Sequence, residues 1–546
     1  MGRFTNRAAS NSAVLALDPR LPFAIRNSSL PNSFVIRHSG FVIRSGAPRR
    51  NAMESAALNH PPKRAKIVAT LGPASDSEQV LRDMIRAGLN VVRINFSHAK
   101  PEATLATIGR VRAAADSLGV PIALMGDLRG PRIRVGEMKD GQIEIPTGSS
   151  VVLTAEPVIG TPARISVSFA GLAGDVRLGE RVLLDDGNLI LVVEAVNAAG
   201  EISCLVTRGG TLSSRRGINL PGQRVSLPAL TDKDLVDVEF SVAHGLDFLA
   251  LSFVQCAADI RLLKEKLKEM NADIPIIAKI ETKAALDDID EIADESFGVM
   301  VARGDLALEL SAQDVPIAQK RIIAACRRRA RPVITATQML ESMTNSPKPT
   351  RAEAADVANA VFDGTDALML SGESAIGKYP VEAIATMSAI AHRAEQAWMN
   401  GEIPPPPEAP LSGSLEDVVA HAATLMSQSL HTGATVAYTM SGSTPRRVAS
   451  HRPSCPILAL CTEPAIRRRL ALSWGVESAL VERIRGTAHM VGLACEHSVA
   501  NLGLCPGDLI TIVAGTPYHV SGTTNLIKIE KIPETPPGNA RGEADV

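Results

Sequence analysis

Short apolar runs alternate with helical segments along most of this chain, and that alternation restricts its fold more than any other feature. Eight runs have the length and content of buried strands, and they lie at 66–71, 91–96, 121–125, 247–253, 274–278, 298–302, 332–337 and 367–370. Eight strand–helix units predict a (β/α)8 barrel of the α/β class, and an open doubly wound sheet is the alternative.

Two stretches interrupt the alternation and divide the chain. From 132 to 228, short alternating runs lie between Gly, Asp and Pro residues, which predicts a small all-β module inserted into the barrel. The barrel itself is then predicted to comprise 61–131 and 229–400. The Pro-rich stretch 401–414 predicts a linker. Residues 415–532 predict a separate open α/β sheet, and the tail, 533–546, is expected to be disordered.

Residues 1–60 are expected to lie outside the fold. The first 51 residues contain eight Arg, no Lys and a single acid, Asp18, and Ser is frequent. This is the composition of an organelle transit peptide. The alternative, which we favour, is an over-extended gene model with translation starting at Met53, because FVIRHSG at 34–40 is nearly repeated by FVIRSG at 41–46.

The composition excludes several classes of function. The net charge is −1, so there is no electrostatic case for nucleic acid or an anionic membrane as a partner. No apolar run approaches the length of a membrane span. Seven Cys without a CxxC pair argue against a disulfide framework or a zinc site. We therefore expect a reducing compartment, the cytoplasm, or an organelle if the leader is a transit peptide.

Charged residues follow two neighbouring predicted strands and suggest the chemistry. Lys279 and Glu281 end the fifth strand, and Asp305 follows the sixth. Catalytic residues of such barrels lie at the carboxyl ends of the strands, so these side chains are expected to converge. Two carboxylates completed by water and substrate oxygens suit Mg²⁺, and the cations suit a phosphorylated substrate. The alternative is that these charges are salt-bridged strand ends.

Long motifs at the predicted strand ends resemble those of the pyruvate kinase family, in that family's order, from about Lys63 to Lys531. They include VVRINFSHA, GDLRGPRIRVG, INLPGQRVSLPALTDKD, AKIET, MVARGDL and ITATQMLESM. The resemblance implies transfer of the phosphoryl group of phosphoenolpyruvate to ADP, giving pyruvate and ATP, with Mg²⁺ or alternatively Mn²⁺. It also implies that the inserted module is a lid and that the protein is a homotetramer.

The resemblance assigns roles to individual residues. Glu281 and Asp305 are implied to hold Mg²⁺, and Arg93, Lys279 and Thr337 to act in catalysis. Gly304 is implied to offer its backbone N–H to the substrate carboxylate, where a side chain would obstruct approach. The residues implied to contact the nucleotide are Asn95, His98, Arg134, Asp186 and Arg215, with Arg216 beside them.

One motif departs from the family pattern. Most members bind K⁺, and the corresponding positions here are Asn95, Ser97, Asp127 and Leu128. The usual motif resembles DTKGPEIRTG, whereas this chain has DLRGPRIRVG. Arg132 lies at the position where the usual motif has Glu. Its guanidinium is expected to supply the positive charge that K⁺ would bring. We therefore expect an enzyme that needs Mg²⁺ but not K⁺.

The C-terminal sheet resembles the family's regulatory domain. Its first strand is followed by Thr439, Ser441, Gly442, Ser443 and Thr444, whose hydroxyls and N–H groups could cradle a phosphate. Arg446 and Arg447 add positive charge. The expected effector is a sugar phosphate or a nucleotide, and the alternative is a plain strand–helix turn.

Two other functions remain open at this point. One is a Mg²⁺-dependent lyase or aldolase acting on pyruvate enolate. The other is an inactive paralogue that senses metabolites.

Overall fold

The computed structural model describes residues 62–97, 101–520 and 522–534, and every structural statement below concerns these residues. The predicted leader, 1–60, therefore lies wholly outside the described residues. His98 and all of the predicted tail beyond Glu534 also lie outside them.

The chain enters the fold through strand–helix units. These are β1 (Lys66–Thr70), α1 (Glu78–Ala87), β2 (Val91–Asn95), α2 (Pro101–Leu118) and β3 (Ala123–Asp127). Helix α1 begins where Ser77 Oγ accepts a hydrogen bond from Val80 N, and it ends at Gly88, whose φ of 115° suits glycine. Strands β1 and β3 are buried along their whole length, as expected for barrel strands covered by helices.

After β3 the chain forms the inserted β module. Its strands are β4 (Ile133–Arg134), β5 (Gln142–Ile145), β6 (Ser150–Thr154), β7 (Arg164–Ser166), β8 (Arg181–Leu184), β9 (Leu189–Val196), β10 (Ile202–Arg208), β11 (Gly210–Ser213) and β12 (Gly217–Asn219), with a short helix α3 (Leu172–Asp175). They form a seven-stranded sheet, ordered β4-β12-β8-β9-β10-β6-β7, and a β5–β11 pair. The module has its own apolar core, which includes Leu153, Leu191 and Val206.

The strand–helix alternation then resumes. The elements are α4 (Asp232–Ala243), β13 (Phe248–Leu251), α5 (Ala257–Glu269), β14 (Ile276–Ile280), α6 (Lys283–Asp287), α7 (Ile289–Glu295), β15 (Gly298–Ala302), α8 (Arg303–Glu309), α9 (Val315–Arg328), β16 (Val333–Ala336), α10 (Arg351–Asp363), β17 (Ala367–Leu370), α11 (Gly372–Ala375) and α12 (Pro380–Met399). Short 3₁₀ turns lie at Lys139–Gly141 and Glu341–Thr344.

Eight parallel strands close into a barrel in the order β1-β17-β16-β15-β14-β13-β3-β2. The predicted (β/α)8 barrel is confirmed, and the open sheet is excluded. Strand β1 pairs with β2 on one side and with β17 on the other, where Lys66 is opposite Ala367. The barrel interior is filled by side chains that include Val68, Phe248 and Met300.

The C-terminal part is an open α/β sheet, as predicted. Its elements are α13 (Leu415–Ser429), β18 (Ala434–Tyr438), α14 (Ser443–Ser450), β19 (Ile457–Cys461), α15 (Pro464–Arg469), β20 (Val476–Leu480), α16 (Thr487–Leu502), β21 (Leu509–Gly515) and β22 (Thr524–Lys531), with a 3₁₀ turn at Leu470–Leu472. The sheet order is β20-β19-β18-β21-β22, and β22 runs antiparallel to β21.

The helical segment between β14 and β15 is divided in two. Helices α6 and α7 are separated at Asp288. The carboxylate of Asp288 accepts a hydrogen bond from Ala257 N at 3.0 Å, at the start of α5. This contact with a neighbouring helix is long-range, so periodicity could not reveal it. Across the described ranges, no helix combines the length and apolarity needed to cross a membrane.

Candidate active site

Lys279 lies at the centre of the charged groups at the carboxyl end of the barrel. Its Nζ lies 2.8 Å from Glu281 Oε1 and 3.4 Å from Asp127 Oδ1, and it donates to Ser252 Oγ at 2.6 Å. Lys279 and Glu281 are two residues apart on an extended segment, so both side chains point the same way, into the barrel mouth. Burial lowers the pKa of Lys279, but Asp127 and Glu281 outweigh it, and the pKa lies above its usual value.

Asp127 is held between two cations. Arg93 Nε donates to Asp127 Oδ2 at 2.5 Å, and Arg93 Nη1 donates to Thr70 Oγ1 at 2.8 Å. Burial pushes the pKa of Asp127 upward, but Arg93 and Lys279 outweigh it and hold the pKa below its usual range. The carboxylate therefore stays ionised and fixes both cations at the rim.

Glu281 and Asp305 offer a fitting donor set for Mg²⁺. Glu281 is 1% exposed, and its Oε2 accepts a hydrogen bond from Phe253 N at 2.6 Å. Its Oε1 faces Lys279 but accepts no well-aligned hydrogen bond within the described residues. Burial raises the pKa of Glu281, Lys279 opposes the rise, and the nearby carboxylate of Asp305 adds to it. A divalent cation between them would relieve both effects.

The protein contributes few ligands to such a metal. Among the residues described, no group of three or more His, Cys, Asp and Glu residues gathers as a metal site. Mg²⁺ commonly keeps several waters and takes one or two carboxylates plus substrate phosphates. Two carboxylates are therefore enough for a metal that binds together with a phosphorylated substrate.

Arg132 lies beside Asp305 in the structure. Its Nη2 is 3.8 Å from Asp305 Oδ1, and its guanidinium lies 5.1 Å from the ring centroid of Phe253. Within the part of the chain that the structure describes, it makes no ion pair with Asp127. The physical reason is that the half-buried carboxylate of Asp305 is open to a further cation, whereas Asp127 is already paired with Arg93 and Lys279.

The predicted monovalent-cation positions are engaged within the protein. Asn95 Oδ1 accepts a hydrogen bond from Ser97 N at 3.0 Å. The side chain of Leu128 is fully buried in the core, and its carbonyl accepts a hydrogen bond from Ser252 Oγ at 2.8 Å. Their oxygens are therefore hydrogen-bonded to neighbouring groups.

Thr337 and Gly304 are linked directly. Thr337 Oγ1 accepts from Gly304 N at 2.8 Å and donates to Ala336 O at 2.6 Å. Thr337 and Gln338 both have left-handed backbones, with φ of 67° and 55°, an arrangement that costs free energy and is common at functional sites. The N–H of Gly304 is thus engaged by Thr337, and a Cβ added at Gly304 would meet Thr337 no closer than 3.6 Å. The protein itself would accommodate a small side chain there.

The lid residues separate into two groups. Asp186 lines a cleft of about 780 Å³, including its open mouth, together with Arg132, Glu281 and Asp305. Arg134 Nη1 donates to Arg215 O at 2.9 Å, and burial together with Arg129 and Arg132 lowers the pKa of Arg134. By contrast, the Arg215 side chain pairs with Glu137 and that of Arg216 with Asp185. The structure therefore brings Asp186 to the cleft and holds the two basic side chains on the module.

The structure adds two residues that sequence reasoning missed. Ser252, just after β13, receives the hydrogen bond from Lys279, and Glu309 lines the cleft one helical turn after Asp305. Glu309 accepts a hydrogen bond from Gly222 N of the lid segment at 3.0 Å, and burial raises its pKa to about 7. The i,i+4 spacing from Asp305 was a signal that could have identified Glu309.

The loop predicted to bind an effector lines a second cavity, of about 590 Å³ including its mouth, in the C-terminal sheet. Thr439, Ser441, Ser443 and Thr444 contribute to its wall. Gly442 has a φ of 81° at the turn before α14, and its N–H donates to Thr439 Oγ1 at 2.8 Å.

Comparisons with known proteins place this architecture in a family. The model "Pyruvate kinase, barrel domain" matches residues 62–384, and "Pyruvate kinase, alpha/beta domain" matches 417–530. The pyruvate kinase of Geobacillus stearothermophilus is 44% identical over 86% of this chain and 80% of the relative. That of Mycobacterium tuberculosis is 41% identical over 86% of this chain and 99% of the relative. A crystal structure of a pyruvate kinase from Cryptosporidium parvum matches with a TM-score of 0.80 and 33% identity, over 89% of this chain and 98% of that one. The chain belongs to the pyruvate kinase family.

Proposed function

We propose that the chain transfers the phosphoryl group of phosphoenolpyruvate to ADP and produces pyruvate and ATP, the last step of glycolysis. The observation that carries this proposal is the buried Lys279, fixed by Asp127 and Glu281 beside Asp305 and Arg93. Phosphoryl transfer needs little covalent work from the protein and much charge neutralisation and positioning. A rim of fixed charges that faces one cleft meets that need.

The charges at the rim balance before substrate binds. Asp127, Glu281 and Asp305 are opposed by Arg93, Lys279 and Arg132, which is three charges of each sign. Mg²⁺, held by Glu281 and Asp305 with Mn²⁺ as a substitute, would supply the positive charge that neutralises the phosphates. Arg93 and Lys279, both held by Asp127, then face the transferring group and the enolate oxygen.

Thr337 is proposed to act near the proton delivered to the enolate. Its hydroxyl is a weak acid, so a water relay is needed to carry the proton. Gly304 N, which donates to Thr337 Oγ1, would turn to the substrate carboxylate when that group arrives. Arg303 supports the segment, because its Nη2 donates to the carbonyl of Thr337 at 2.6 Å.

The nucleotide is proposed to bind between the rim and the module. Asp186 in the cleft and Arg134 at the base of the module support this placement, with Asn95 on the barrel side. Arg215 would have to leave Glu137 to reach a phosphate, so its role depends on lid closure. Closure would exclude water, which otherwise accepts the phosphoryl group. The nucleotide contact of His98 stays a prediction, because His98 lies outside the described residues.

A coupled assay tests the proposal. Phosphoenolpyruvate, ADP and Mg²⁺ are added, and pyruvate is followed with lactate dehydrogenase and NADH, while ATP is measured separately. Equal amounts of pyruvate and ATP are expected. Pyruvate without ATP would favour a lyase or aldolase, and no turnover would favour an inactive paralogue.

We also propose that activity does not require K⁺. The supporting observation is that Asp127 is already neutralised by Arg93 and Lys279, while Arg132 brings a further charge to Asp305. Activity in a buffer free of Na⁺ and K⁺, with tetramethylammonium as the salt, should stay within about twofold of that with K⁺. A tenfold or larger fall would contradict the proposal.

The remaining expectations concern regulation and assembly. The cavity at Thr439–Thr444 supports a sugar phosphate or nucleotide effector, and activation by one of them with loss of the response in Ser443→Asp would test it. A homotetramer in the cytoplasm is expected from the family. The exposed apolar side chains of Leu415, Val418 and Leu425 on α13 suit a subunit contact, which light scattering of the purified protein would test.

A further inference from the structure

A further cavity, distinct from the active-site cleft and from the cavity at the effector loop, lies at the amino ends of the barrel strands. It is lined from the barrel by Arg327 in the last turn of α9, by Arg331 shortly after that helix and by Asp366 before β17. Arg446 of α14 and Ser473 close it from the C-terminal sheet. We call these five residues the interdomain pocket. Its free space is about 220 Å³, including its open mouth.

Several polar atoms of the interdomain pocket lack a partner. Nε of Arg327, Arg331 and Arg446 and Oγ of Ser473 are buried and have no hydrogen-bond partner among the described residues. Ser473 is 0% exposed and Arg327 is 5% exposed. A buried donor left without an acceptor destabilises the folded protein. Four such donors in one cavity call for an acceptor that the protein does not supply.

The positive charge is not balanced locally. Asp366 is the acid among the residues lining the pocket, and its carboxylate already accepts from Arg452 Nη1 at 3.1 Å and from Val333 N at 3.0 Å. The guanidinium of Arg446 stacks on the ring of Phe297, 4.4 Å from its centroid, and this contact brings no negative charge.

The arginines also crowd one another. Burial, together with the charges of Arg331, Arg447 and Arg469, lowers the pKa of Arg446 to about 9. Burial and the charge of Arg452 lower the pKa of Arg327 to about 9. Both groups stay protonated at neutral pH, so the pocket keeps its positive charge.

We propose that the interdomain pocket binds a phosphate-class oxyanion, held by Arg327, Arg446 and Ser473. Guanidinium groups match the geometry and charge of such an anion, and the hydroxyl of Ser473 adds a neutral donor. The anion is either free inorganic phosphate or the phosphate group of a sugar phosphate. The pocket is narrow, so the partly exposed side chain of Arg331 turns outward to admit the anion.

Arg446 connects this pocket to the effector loop. Its Nη1 donates to Ser441 O at 3.3 Å, so one side chain touches both. An anion that draws Arg446 inward removes that contact, and binding in the pocket and at the loop are then coupled in both directions. The proposal does not depend on the catalytic one, because its tests measure binding rather than turnover.

Crystals of the full chain soaked in sodium selenate test the location directly, since selenium scatters anomalously. We expect an anomalous peak within hydrogen-bonding distance of Arg446 and Ser473. Peaks confined to the active site or the effector loop would overturn the proposal. This measurement uses the unaltered protein, so it does not depend on any variant folding.

Calorimetric titration with inorganic phosphate at constant ionic strength tests the chemistry. Loss of the charged donor in Arg446→Gln should weaken phosphate binding at one site about tenfold or more, and loss of the neutral donor in Ser473→Ala should weaken it about threefold. Arg393→Gln is the matched control, since Arg393 pairs with Glu402 on an exposed surface and should bind as the wild type does. Unchanged affinity in both pocket variants would overturn the proposal.

A parallel titration with a hexose 6-phosphate distinguishes the two sources. Tighter binding of the sugar phosphate than of inorganic phosphate, lost in Arg446→Gln, assigns an organic ligand. Equal or weaker binding assigns free phosphate.

Discussion

Replacing Lys279 by Met removes the cation at the centre of the rim while keeping a side chain of similar length. The Lys279 ammonium contacts Glu281 at 2.8 Å and Asp127 at 3.4 Å, and both carboxylates are buried. Removing one partner of a buried ion pair costs about 3–5 kcal/mol, because the remaining charge is left uncompensated. We therefore expect a folded but clearly less stable protein, with a lower melting temperature.

The effect on catalysis should be larger than the effect on folding. A cation fixed at the transferring phosphoryl group contributes about 10³-fold or more to turnover. Glu281 and Asp305 remain, and the rim gains one unit of negative charge, so Mg²⁺ should bind at least as tightly as before. The expected result is a fall in kcat of about 10³-fold at saturating substrates, measured with the coupled dehydrogenase assay, with Mn²⁺ binding retained by electron paramagnetic resonance.

Lys283→Met is the matched control. Lys283 is an exposed lysine four residues further on, and its ion pair with Asp287 at 2.6 Å is an i,i+4 surface pair. Such a pair is worth about 0.3–0.5 kcal/mol, so kcat and melting temperature should hardly change. The reasoning would be refuted if Lys279→Met kept kcat within tenfold of the wild type, or if both variants lost activity equally.

Two further predictions concern stability. Burial raises the pKa of Glu309 to about 7 from its ordinary 4.5, so the stability that this group contributes is complete below about pH 4.5 and is lost as the pH rises through 7. Glu309→Gln keeps an acceptor for Gly222 N and abolishes the ionisation. Between pH 5 and pH 8 the wild type should therefore lose about 2–3 kcal/mol of unfolding free energy relative to the variant, as measured by thermal melts. Parallel pH profiles of the two proteins would contradict this. Gly126→Ala should lower the free energy of unfolding by about 1–3 kcal/mol, because the new Cβ would lie 2.6 Å from the Phe96 ring. Gly109→Ala should raise it by about 0.5–1 kcal/mol, because Ala favours the helix α2 and nothing lies within 4 Å of the new Cβ. Equal melting temperatures for the two alanine variants would show that this packing argument fails.

The barrel was predictable because its signal is local and repeated. Each strand is a short apolar run and each helix has its own caps, such as Thr350, which forms a capping box with Glu353 at the start of α10. Strands of two or three residues in the module, such as β4 and β7, are too short to show alternation. The break at Asp288 has no local signal, because Asp288 contacts the start of another helix.

The site was predictable as a set of strand-end residues but not as a network. Spacing along the chain shows that Lys279 and Glu281 share a face, and it cannot show that Arg93 reaches Asp127 from the neighbouring strand. Arg132 illustrates the limit, since its partner depends on which carboxylates are already neutralised in three dimensions. The interdomain pocket had no sequence signal at all, because its arginines come from segments more than a hundred residues apart.

Closure of the barrel pairs its first strand with its last, and the ribosome synthesises these two strands far apart in time. Lys66 of β1 pairs with Ala367 of β17, which the ribosome adds 301 residues later (367 − 66). At about 5–20 residues per second, this delay is about 15–60 s. Throughout that time the edge of β1, a strand that is buried along its whole length in the finished barrel, has no partner. The nascent chain therefore carries an unpaired apolar strand edge, and its yield in the cell should depend on chaperones that cover such edges until β17 emerges.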